Sequence, residues 1–178
     1  MAHIDTFKSW VETIRQDIDA FKTLLESEKA DNGARRLAGG ALSYLVSKMD
    51  LIPDWNEGIG VIDDVMVLRV CSVLTQDFDR GGIAAAAEAS LDRMSNQAES
   101  ITEFLGGPTY DKLKAYCAKL GDLKVRGKSS ADLIADPQAR AAFYKALDED
   151  IAKTVPIVIA SPAEAELRLK SYLTHKLS

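Results

Sequence analysis

ALSYLVSKMDLIPDWNEGIGVIDDVMVLRVCSVL, residues 41–74, decides how this chain folds. Two apolar segments flank a loop that carries five acids: Asp50, Asp54, Glu57, Asp63 and Asp64. The first segment, from Leu37 to Met49, is apolar with small breaks and too long for a typical strand. Pro53 ends it, because the residue before a proline is pushed out of the α region. Gly58 and Gly60 then open backbone angles closed to other residues. Asp63 or Asp64 is a natural N-cap for the next helix, where a carboxylate accepts orphan amide hydrogens at the positive dipole end. From Val65 to Leu74 only Arg69 and Ser72 are polar. A helix apolar nearly all round is a buried one. The stretch therefore predicts a helix–loop–helix corner, with helix 64–77 at the centre of the core. Arg69, the lone charge of that helix, is expected to pair with a carboxylate of the 50–64 loop.

DLIPD at 50–54, Gly60 and the Asp63–Asp64 pair together resemble the signature of the YkvA-like family, small bacterial proteins classed as a domain of unknown function. The resemblance covers roughly residues 33–75. The motif residues are Asp50, Pro53, Asp54, Gly60, Asp63 and Asp64, with Arg69 following. The chain departs from the pattern at Lys48-Met49, where the family carries Pro-Ile, and Lys48 lets the preceding helix run on. The resemblance implies a helical domain and no established reaction.

Composition narrows the functional classes. A formal net charge of −5 argues against general nucleic-acid binding, which needs a positive excess. Cys71 and Cys117 sit in helical apolar patterns without a C-x-x-C spacing, as buried thiols of a reducing cytoplasm do. No apolar run reaches the ~18 residues of a membrane-spanning helix, and the N-terminus lacks the profile of a secretion signal. The expectation is a cytoplasmic, all-α, compact bundle of six to seven helices. It forms a single helical domain over 1–178, with the YkvA-like core at 33–80 and a helical C-terminal extension at 108–178.

Working outward from the core, residues 3–30 read as one amphipathic helix. Ile4, Phe7, Val11, Ile14, Ile18, Phe21 and Leu25 step by three and four along one seam. That seam either covers the chain's own core, making a monomer, or joins two copies as a homodimer through helix 3–30. The next helix, 34–49, contains Gly39-Gly40, a pair tolerated where another helix, here 64–77, approaches closely. A helix over 83–105 follows, ended by Gly106-Gly107-Pro108, and Thr109 caps a helix over 110–120. The basic loop GDLKVRGKSS, with Lys124, Arg126 and Lys128, reads as mobile, and is either a solvated face or a site for a phosphate-bearing or acidic protein partner. Ser129 and Asp132 form a capping box, and Asp136-Pro137 opens a helix running to Thr154. VPIVIA at 155–160 is a lone strand or a connector. Ser161-Pro162-Ala163-Glu164 caps a last helix whose apolar face is Leu167, Leu173 and Leu177.

The chemistry available is narrow. His3 and His175 lie near opposite termini and suggest no Ser-His or Cys-His dyad. Zinc-type clusters and a phosphate-binding Gly-rich loop are both missing from the sequence. The acids of the loop have three readings. They cap helices and pair with Arg35, Arg36 and Arg69; or Asp50, Asp54, Asp63 and Asp64 hold a hard cation, Mg²⁺ or Ca²⁺; or one of them is a general base. No cofactor is otherwise implied. Trp55 is either a half-buried cover or a partner-binding residue. Membrane contact through the 37–52 and 59–74 hairpin is disfavoured by its Asp pairs and Arg69. An interaction or structural module without catalysis of its own fits these residues best, ahead of a metal-dependent enzyme.

Overall fold

The helix from Ile62 to Thr75 is buried at every residue except Val73 and Leu74. A computed structural model describes residues 2–47, 51–52, 59–154 and 157–178, and in it this helix is the axis of the protein. Numbered in chain order, the helices are α1 (His3–Ser9), α2 (Ile14–Glu26), α3 (Asn32–Val46), α4 (Ile62–Thr75) and α5 (Ala85–Gln97). After them come α6 (Glu99–Leu105), α7 (Gly107–Ala118), α8 (Ser130–Ala135), α9 (Pro137–Ala152) and α10 (Pro162–Lys176). The architecture is all-α, and no strand occurs among the described residues. α4 packs against α1, α3, α5 and α7; α2 bridges α3 and α5 on the outside of that set. α8 and α9 lie on α3, while α10 lies on α1, where Glu166 accepts the Ile4 N–H at 2.9 Å.

The expected helix over 3–30 is broken into two by a 3-10 turn at Trp10–Thr13, and it stops at Glu26. The Thr13 hydroxyl oxygen lies 3.1 Å from the Trp10 carbonyl within that turn. Ile4, Phe7, Ile14, Ile18, Phe21 and Leu25 of the seam are buried in the chain's own core, as is Trp10. The helix expected over 83–105 is likewise divided at Ala98, whose N–H is shared between the Met94 and Ser95 carbonyls. α7 begins earlier than Thr109, because Gly106 takes φ 83° and Pro108 falls in the first turn, where its missing N–H is harmless.

Gly39 and Gly40 do mark a close approach, but α4 is not the neighbour. A Cβ on Gly40 would stand 2.6 Å from the Gly121 nitrogen, and one on Gly39 would stand 2.5 Å from Ser130 Oγ. The glycines thus seat the segment between α7 and α8 on α3. Three predicted caps hold: Ser129 and Asp132 form a reciprocal box on α8, Asp136 accepts from the Gln138 N–H at the start of α9, and the Ser161 hydroxyl accepts from the Glu164 N–H at the start of α10. On α10 the buried face is Ala165, Leu169 and Leu173, leaving Leu167 73% exposed. Val155 and Pro156 lie outside the described residues; 157–159 run without regular structure, as a connector does.

Candidate functional site

Two buried carboxylates organise the polar interior. The first is Asp63, in the first turn of α4. It is not the N-cap: that position is Val61, and no side chain caps the helix there. The Asp63 carboxylate instead turns back toward α3. The Tyr44 hydroxyl donates a short hydrogen bond to its Oδ2, and the Ile52 N–H approaches the same oxygen at 3.4 Å. The Leu51 N–H in turn donates to the Tyr44 hydroxyl at 2.7 Å. One tyrosine and one aspartate thereby tie α3, residues 51–52 and α4 together. Burial first, and then the charges of Asp63 and Asp64, push the Tyr44 hydroxyl well above the ordinary tyrosine pKa. Tyr44 is therefore a donor at every physiological pH.

Asp64 is 9% exposed beside it, and Gly60 sits in the Ile59–Ile62 turn that leads into α4. Of the four carboxylates expected to hold a cation, the structure describes Asp63 and Asp64. Asp50 and Asp54 lie outside the described residues, as do Pro53, Glu57 and Trp55. Among the described residues no three His, Cys, Asp or Glu side chains converge as metal ligands would.

The second carboxylate, Asp17 of α2, corrects the expected pairing of Arg69. Arg69 is fully buried, and the carboxylate it pairs with among the described residues is Asp17 at 3.0 Å, on α2 and outside the 50–64 loop; Asp50, Asp54 and Glu57 lie outside the described residues. Arg93 of α5 binds the other Asp17 oxygen at 2.5 Å, and the Thr13 hydroxyl donates to Asp17 at 3.0 Å. Arg69 Nε donates to Gln97 at 3.0 Å, and the Trp10 ring lies 4.7 Å from its guanidinium carbon. At that distance the ring face favours the cation. Burial lowers the Arg69 pKa to about 10, with Asp17 acting against the fall and Arg93 adding to it. The arginine stays charged at neutral pH. Sequence reading missed Asp17 and Arg93, although Asp17 carried a signal. It lies three residues after Ile14 and four before Phe21, a charge set on the apolar stripe of α2.

Arg35 and Arg36, expected to serve the acidic loop, meet other groups among the described residues. Arg35 donates to the Leu25 carbonyl at 2.8 Å, and Arg36 pairs with Asp122. Lys124, Arg126 and Lys128 are exposed between α7 and α8, with Arg126 3.5 Å from Asp150. Cys71 and Cys117 are buried free thiols. Burial and its neighbour Cys71 raise the Cys117 pKa well above that of an ordinary thiol, which keeps it protonated and unreactive.

Residues 34–69 match a family model described as "Protein of unknown function (DUF1232)". The match runs from the first turn of α3 to Arg69, so it contains Tyr44 and Asp63 but neither Asp17 nor Arg93. No curated protein and no solved structure gives a significant match to the chain.

Proposed function

We propose that this chain is an interaction or structural module with no catalysis of its own, and that the acids of its central motif serve the fold. One observation carries the reading: Asp63 is engaged by the Tyr44 hydroxyl and a backbone N–H, inside a lock that joins α3 to α4. A carboxylate used in this way is a structural acceptor, and removing its donors leaves a buried charge without compensation. The same economy governs Asp17, whose charge is met by two guanidiniums. The sequence resemblance to the YkvA-like family, itself without an assigned reaction, agrees with a module of this kind. Free, buried Cys71 and Cys117 suit a reducing cytoplasm. No helix among the described residues is long and apolar enough to cross a membrane.

A second reading is a Mg²⁺ or Ca²⁺ site, favoured by the adjacency of Asp63 and Asp64, both nearly or fully buried at the start of α4. Thermal melting with and without millimolar Mg²⁺ or Ca²⁺ separates the two. On the structural reading the melting temperature does not move with either ion, and Asp63→Asn lowers it equally in both conditions. A rise in the wild-type melt with ion, absent in Asp63→Asn, would establish the cation site and end the structural reading.

A further inference from the structure

Composition predicts a mobile basic loop between α7 and α8, yet this segment is held. Leu120–Asp122 makes a 3-10 turn, after which Val125 and Lys128 exchange both backbone hydrogen bonds, at 2.8 and 3.1 Å. Between them Arg126 and Gly127 both take positive φ, 52° and 80°. This two-residue turn ordinarily selects Asn, Asp or Gly, because larger side chains crowd the left-handed region. An arginine held there is a strained placement, of the sort found where a side chain has a use outside the fold. The capping box of Ser129 and Asp132 fixes the far end of the segment, and Gly121 packs against the Arg36 carbonyl at its near end.

Lys119, Lys124, Arg126 and Lys128 are all exposed around this turn. Leu123 stands among them 53% exposed, the most exposed large apolar side chain between α4 and α9. The acids nearby are already occupied. Asp122 pairs with Arg36, and Asp132 accepts from the Ser129 N–H and hydroxyl at 2.9 and 3.1 Å. Asp150 lies 3.5 Å from Arg126. Lys119, Lys124 and Lys128 form no close ion pair among the described residues, although the Asp132 carboxyl is held below the usual range by its Ser129 hydrogen bonds first and then by the charges of Lys128 and Lys124. The turn thus offers cations in excess of the carboxylates around it, with the exposed Leu123 next to Lys124 in the chain.

We infer that this turn docks the chain on an anionic lipid bilayer. Lys119, Lys124, Arg126 and Lys128 meet the headgroup phosphates, and Leu123 enters the acyl boundary between them. Each lysine or arginine near an anionic bilayer strengthens attachment roughly fivefold. The net charge of −5 does not oppose this, because charges more than about 8 Å away are screened at physiological salt. A nucleic acid would leave Leu123 without an apolar contact. The inference rests on the interaction-module reading above and names the surface that such a module would use.

Cosedimentation of the full chain with vesicles tests it, using phosphatidylcholine alone or mixed with an equal amount of phosphatidylglycerol. Binding to the anionic vesicles is expected to exceed that to neutral ones by about tenfold or more at low salt, and to vanish at high salt. Lys124→Ala with Lys128→Ala should weaken it about 25-fold, and Leu123→Ser should weaken it at low salt, where the wild type binds. Circular dichroism melts establish that each variant is folded, and Lys145→Ala, on the exposed face of α9, serves as a control that keeps wild-type binding. Equal partitioning onto both vesicles, or wild-type binding by the folded double variant, overturns the inference. Binding to polyglutamate resin without binding to vesicles would also overturn it, assigning the turn to an acidic protein while the module reading stands. An ion-dependent melt, measured separately, is what would remove the module reading.

Discussion

Asp17 and Asp63 are both fully buried carboxylates, and the fold satisfies them by opposite means. Asp63 is served from nearby in the chain: Tyr44 is 19 residues away and Ile52 is 11. The donors described for it are a neutral phenol and a backbone amide. Asp17 is served from afar, by Arg69 and Arg93 at separations of 52 and 76 residues. These donors are cations, and the neutral Thr13 hydroxyl, four residues away, is added to them. The family match contains the whole of the described Asp63 lock and one half of the Asp17 pair, since Arg69 is the last matched residue. Arg69 therefore joins the matched segment to the flanking helices α2 and α5. A neutral lock holds the shape of the corner, and a charged one fixes where the corner sits in the molecule.

The sharpest way to break this distinction is Asp17→Asn. It leaves Arg69 fully buried with its carboxylate gone, and loss of one side of a buried pair costs about 3–5 kcal/mol. Urea denaturation measures it; a loss below about 1 kcal/mol would mean the network does not anchor α4. Arg69→Met should be milder, about 1.5–3 kcal/mol, because Asp17 keeps Arg93 and Thr13 and the methionine fills apolar space. An Arg69→Met variant less stable than Asp17→Asn would reverse the ranking of the two partners.

Tyr44→Phe tests the neutral lock. It strips the hydroxyl from both the Leu51 N–H and Asp63, for about 1–3 kcal/mol. Hydrogen exchange should quicken at Leu51 and Ile52 and stay slow across α2 and α5; uniform acceleration would contradict a local lock.

The smallest effect is alkaline. Tyr44 has a folded pKa raised above its unfolded value near 10. The folded state thus holds a proton that the unfolded state releases. This contribution is complete below pH ~10 and is lost as pH climbs from there toward the folded pKa. Melting temperature should fall above pH ~10, and the fall should be shallower in Tyr44→Phe. Tyrosine absorbance ought to show a group that ionises only on unfolding and that is lost in Tyr44→Phe; a Tyr44 that titrates normally in the folded protein would contradict its enclosure.

Much of the architecture was legible because its causes are local. α4 could be read as central from a ten-residue run broken only by Arg69 and Ser72. The caps at Ser129 and Asp136 could be read because a side chain reaches an amide two or three residues on. The breaks at Trp10–Thr13 and Ala98 could not, since neither Gly nor Pro marks them; each is a tightened turn set by the packing of neighbouring helices. Gly39 and Gly40 announced a close approach without saying whose. The basic turn was misread for a related reason: Arg126 is an unfavourable residue for the conformation it takes, so composition pointed to a mobile loop.

What the sequence by itself determined is therefore the helical class, the burial of α4 and the need of Arg69 for a carboxylate. Periodicity and the desolvation of a charge act on any fold in which that helix is enclosed. Only the tertiary structure decided which carboxylate answers. Asp17, Asp63 and Asp64 are chemically equivalent candidates along the chain. The choice rests on the approach of α2 and α5 to α4 from residues far apart in sequence. Pair energies of this kind depend on distances that no local pattern encodes.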